Sequence, residues 1–114
     1  MSEVEQPGNQ PDEEYIPLPP ASFDWLVISL RAQAEMHLGL MHFGPESERP
    51  KPKLELARHS IDMLAMLQDK TRGNLTLEEQ RLLENSLTEL RFRYVQAYEE
   101  SRQGPPAQAE SQQA

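Results

Sequence analysis

Lys70-Thr71-Arg72-Gly73-Asn74-Leu75-Thr76-Leu77-Glu78-Glu79 holds a helix stop and a helix start back to back. Lys70 and Arg72 put positive charge where a helix dipole ends. Gly73 can take the left-handed conformation that closes the helix, and Thr76 with Glu79 three residues on is a capping box. With about three residues between stop and start, the two helices must fold back on each other as an αα-hairpin. The structural joint of the chain is therefore Gly73, Asn74, Thr76 and Glu79.

Working outward, the helix after the joint carries Leu83, Leu87, Leu90, Tyr94 and Ala97 in steps of four and three, a coiled-coil-like seam. Glu89 four residues before Arg93 adds a favourable surface pair. The helix before the joint runs from about Pro52 to Thr71, with Leu54, Ala57, Ile61 and Leu64 on one seam and Leu56, Met63 and Leu67 beside it. Upstream, Gly44-Pro45-Glu46-Ser47-Glu48-Arg49-Pro50-Lys51-Pro52 reads as a charged, proline-punctuated loop.

A first helix is expected from Ser22, its N-cap, to about Met41. Phe23, Val27, Leu30, Ala34, His37 and Met41 form its seam, widened by Leu26 and Leu38. Trp25, Ile28, Ala32, Met36 and Gly39 make a second weakly polar stripe on the opposite side, and Asp24, Arg31 and Glu35 a narrow charged strip. The ten prolines leave only two long uninterrupted intervals, Ala21 to Phe43 and Lys53 to Gly104. The expected fold is all-α: a compact three-helix domain over residues 21–101, with an acidic Pro-rich disordered tail at 1–20 and a disordered tail at 102–114.

The net charge of −8 belongs mostly to the ends. Glu3, Glu5, Asp12, Glu13 and Glu14 face no Lys or Arg in residues 1–20, and the middle of the chain carries eleven acidic against ten basic residues. In the third helix Arg81, Arg91 and Arg93 fall on different sides among Glu78, Glu79, Glu84 and Glu89. No basic stripe is available for nucleic acid or for a membrane surface. The longest apolar segment, near Trp25 to Met41, is broken by Arg31 and Glu35, short of the ~18 clean residues of a membrane span. With no secretion signal at Met1-Ser2-Glu3-Val4-Glu5, a cytoplasmic protein is expected.

Chemistry finds few footholds. Zero cysteines removes disulfides, thiolate nucleophiles and thiolate metal sites. Ser29 and Ser60 lack a nucleophile elbow, and the five glycines never cluster into a phosphate loop, so no cofactor is expected. His37 and His42, five apart, do not share a helical face. Glu55, His59 and Asp62, spaced four and three, do share one, and a carboxylate-imidazole-carboxylate set of that spacing suits zinc or iron. The competing reading is a solvated face, since Arg58, Asp69 and Lys70 lie nearby. Asp62 could equally pair with Arg31, Arg91 or Arg93.

Ala57-Arg58, Ile61-Asp62-Met63-Leu64, Met66-Leu67, Lys70-Thr71, Gly73-Asn74-Leu75-Thr76 and Glu78-Glu79, followed by Leu90-Arg91 and Arg93-Tyr94-Val95, carry a resemblance. Together with Phe23, Leu26-Val27, Ser29-Leu30 and His37-Leu38-Gly39, they resemble a family of small bacterial proteins, domain of unknown function 1844. The resemblance covers most of Phe23 to Val95. It implies a bacterial cytoplasmic protein with an all-helical core and variable tails, and brings no catalytic or ligand-binding residue with it.

The sequence therefore predicts a helical protein-interaction or self-association module without catalytic activity. A metal-binding or enzymatic protein using Glu55, His59 and Asp62 is the alternative. The stripe of Trp25, Ile28, Ala32, Met36 and Gly39 is the expected self-association face, and a two-fold homodimer the simplest closed arrangement. The competing arrangement has the long loop carry the second and third helices to opposite sides of the first, burying both stripes within one chain.

Overall fold

Ser22 opens the first helix, α1 (Phe23–His37), by accepting a hydrogen bond from the Trp25 amide at 3.1 Å. The computed structural model of the chain describes residues 16–103, in which α1 is followed by a 3₁₀ turn (Glu46–Glu48) and by α2 (Leu54–Lys70) and α3 (Leu77–Gln103). The fold is all-α, as expected. The two tail assignments fall largely on residues 1–15 and 104–114, outside the described part, and α3 runs past Ser101 to Gln103.

The joint between α2 and α3 has the local chemistry that its sequence specifies. Thr71 closes α2 with both its amide and its hydroxyl on the Leu67 carbonyl, at 3.0 and 2.7 Å. Gly73 has φ +80°, and the capping box is reciprocal: the Thr76 amide donates to Glu79 Oε1 at 2.9 Å, and the Glu79 amide to Thr76 Oγ1 at 3.1 Å. Two amides of α3 that would otherwise be orphaned are thereby satisfied. Thr76→Ala is expected to cost about 1 kcal/mol, read as a lower urea midpoint at unchanged slope. An unchanged midpoint would mean that the box does not hold the helix start.

The first helix ends earlier than its periodicity suggests. Leu38 is the C-cap, the Gly39 amide donates to the Met36 carbonyl at 3.0 Å and the Leu40 amide to the Glu35 carbonyl at 2.9 Å. That pair of bonds is a Schellman motif, and it needs a left-handed residue at Gly39, whose φ is +79°. Met41 therefore lies beyond the helix and is exposed, while Leu38 folds inward and is buried. The chain returns over the helix end, and the Lys53 amide at the start of α2 donates to the His37 carbonyl at 2.6 Å. Because the end of α1 meets the start of α2, the two helices run antiparallel, and α3 turns back again after the joint.

The core is built from all three helices: Val27, Ala34 and Leu38 of the α1 segment, Ala57, Ile61 and Leu64 of α2, and Leu83, Leu87, Leu90 and Ala97 of α3. Phe23, Leu30, Leu54, Leu75, Leu82 and Tyr94 pack around it. The sequence seams of α2 and α3 are thus the buried seams. Each pair of helices is in contact, so α1 is covered by both α2 and α3. Both lie against the same side of α1, the one carrying Val27 and Ala34, and its far side stays open.

Candidate functional site

The orientation of each helix follows from its polar contacts. On α1, Arg31 is held by Glu35 at 3.1 Å and donates to Ser86 Oγ of α3 at 3.4 Å, so the Arg31 edge faces α3. Ser86 is fully buried, and this guanidinium is its side-chain partner in the interface. On α2, Arg58, Ile61 and Asp62 line a shallow groove of about 200 Å³ with Arg91, Tyr94 and Val95, so the Arg58 edge also faces α3.

At about 100° per residue, the opposite edges of the two helices carry Leu26, Ser29, Gln33 and Met36 on α1, and Leu56, Ser60, Met63 and Leu67 on α2. These edges lie together on the side of the α1–α2 pair that faces away from α3. The side chains are apolar or neutral, and the large ones meet water: Leu26 is 45% exposed, Met36 54%, Leu56 49% and Met63 37%, with Trp25 at the margin at 44%. This two-helix face thus exposes large apolar side chains from both α1 and α2.

The expected self-association stripe is only partly on it. Trp25, Ile28 and Met36 are exposed, as the helical pattern requires, and Ala32 is half-buried. Gly39 is not part of any open face. It is buried, and a Cβ built on it would stand 2.6 Å from the Pro50 carbonyl oxygen, because the returning loop is laid against its backbone. A glycine at a helix stop is small for conformational reasons, not to admit a partner. Leu56 and Met63 were legible as a row beside the α2 seam. What the sequence does not reveal is which neighbouring helix that row adjoins.

Glu55, His59 and Asp62 are all exposed on α2. Asp62 sits 3.9 Å from Arg58 of its own helix, while Arg31 pairs with Glu35 and Arg93 with Glu89 at 3.5 Å. The cross-helix ion pairs open to Asp62 on sequence grounds are thus replaced by a local i,i+4 contact, the separation at which helix side chains meet most readily. Among the described residues no group of three His, Asp or Glu side chains is placed to hold a metal ion. His42 Nε2 lies 2.7 Å from the Pro45 carbonyl oxygen inside the loop, apart from His37. Ser29 Oγ donates to the Trp25 carbonyl at 2.9 Å, and Ser60 is buried against the core.

A second depression, about 160 Å³ at the hairpin joint, is lined by Gln68, Arg72, Gly73, Leu75 and Glu84. Both depressions are smaller than the ~300 Å³ at which small-molecule sites begin. No helix among the described residues is long and apolar enough to cross a membrane.

Residues 20–96, about two thirds of the chain, match the family described as Domain of unknown function (DUF1844). No curated protein and no solved structure matches the chain.

Proposed function

The chain belongs to the DUF1844 family, and from that premise we propose that it is a cytoplasmic protein-interaction module that acts by contact instead of catalysis. One observation carries this reading. The face formed by Leu26 and Met36 of α1 with Leu56 and Met63 of α2 exposes large apolar side chains around neutral Ser29 and Gln33, with no charged residue among them. A monomer of this size gains little from holding such a surface in water, whereas an interface uses it as its desolvated centre. Methionine adds to this, since its flexible, polarisable side chain adapts to a partner's shape. Glu55 and Asp62 lie further round α2 and are not needed by it, while the exposed His59, three residues from Leu56 and four from Met63, borders the face.

The reading is tested by placing a photo-crosslinking residue at Met36 or Met63 in cells. Covalent adducts of defined mass are expected at both positions, well above those from Glu84, an exposed control on α3. Yields at Met36 and Met63 no higher than at Glu84 would overturn the proposal.

A further inference from the structure

We infer that the partner on this face is a second copy of the same chain, packed so that α1 and α2 of each copy form a central four-helix layer with the two α3 helices outside. The inference rests on the interaction-module reading and names its occupant. Three observations favour a second copy.

The first is area. Trp25, Leu26, Met36, Leu56 and Met63 are each between 37% and 54% exposed. At ~200 Å² for a large apolar side chain, they offer roughly 450 Å² of apolar surface. A homodimer interface of standard size buries ~800 Å² per partner, about 65% of it apolar. The face thus comes close to the apolar extent of such an interface.

The second is charge. A surface that pairs with itself meets the same net charge on its copy, so any net charge at its centre is repelled. Here the centre carries none. Beyond it, the middle of the chain is close to neutral, with eleven acidic against ten basic residues.

The third is helix direction. Because α1 and α2 are antiparallel, two different two-fold axes in the plane of the face are permitted. One lies across the helices and stacks α1 on α1 and α2 on α2; the other lies along them and stacks α1 on α2. Both set every helix antiparallel to the one that it meets, so the helix dipoles oppose across the interface in either case. Helix direction is therefore compatible with a two-fold pairing through this face.

Sedimentation equilibrium of the full chain at tens of micromolar is the test. The expected mass is twice 13.1 kDa, falling to a single chain in Leu56→Glu and in Met63→Glu at unchanged far-ultraviolet helicity. Phe92→Glu, on the exposed outer side of α3, is expected to remain dimeric. Leu56→Gln serves as a milder variant should either glutamate reduce helicity, and a weaker dimer is expected from it. A monomeric wild-type chain would overturn the inference, as would a dimer that survives the α2 variants or dissociates only with Phe92→Glu. A monomer that still gives crosslinks to another protein at Met36 and Met63 rejects the second copy while leaving the interaction module in place. Loss of those crosslinks removes both.

Discussion

Gly39→Ala is expected to cost about 3 kcal/mol, while Gly73→Ala costs about 1 kcal/mol, although the two glycines have nearly the same backbone conformation. Their φ angles are +79° and +80°, so the strain of a left-handed alanine is common to both. The difference is what the added methyl group meets. At Gly73 nothing lies within 4 Å, whereas at Gly39 the Pro50 carbonyl oxygen is 2.6 Å away and Pro52 N is 4.0 Å away. That obstacle is backbone, so relief requires the whole returning loop to lift. Lifting it endangers the Lys53 to His37 hydrogen bond that seats the start of α2 against the end of α1. Urea denaturation followed by circular dichroism measures both variants on one scale. Equal midpoints would show that the loop is not held against Gly39.

Leu64→Ala is expected to destabilise the domain by about 3 kcal/mol, within the range of 2–5 for a fully enclosed leucine. Leu64 has no exposed surface and lies in the core cluster to which all three helices contribute. Neighbours drawn from three helices cannot all collapse into the vacated space, so the lost transfer energy is joined by the cost of a cavity. A core of some 80 residues commonly supplies only a few kcal/mol of net stability, so this variant should be partly unfolded at 37 °C. Val95→Ala, at a position 56% exposed on α3, should change stability by less than 1 kcal/mol. Thermal melts of the two variants beside the parent check the contrast. If Leu64→Ala melts with Val95→Ala, the packing assigned to α2 is wrong.

The α2–α3 hairpin was legible in the residues because everything that builds it is local. Lys70 to Glu79 contain a stop, a left-handed glycine and a reciprocal cap, and none of these depends on what packs beside them. The seams Ala57–Ile61–Leu64 and Leu83–Leu87–Leu90 are equally local, since helical periodicity gathers them on one side before any tertiary contact exists. The far end of α1 was harder to read. His37-Leu38-Gly39 also contains a stop, but the apolar pattern runs through it to Met41 and the glycine sits in phase with Trp25, Ala32 and Met36. Periodicity there suggested a longer helix with an open small-residue face, and the Schellman bonds and the Pro50 carbonyl overrode it.

What the sequence determined by itself is therefore three helices, their buried seams and one turn, all set by interactions within a few residues. What only the tertiary structure decided is how the outer edges of α1 and α2 lie side by side. Leu26 and Met36 join Leu56 and Met63 into one uncharged surface because α3 takes the other side of the pair, where Arg31 meets Ser86 and Arg58 faces Arg91 and Tyr94. A periodic pattern gives each helix an inside and an outside. It carries no information about which neighbour lies on the left and which on the right, because that choice is made by packing between residues far apart in the chain.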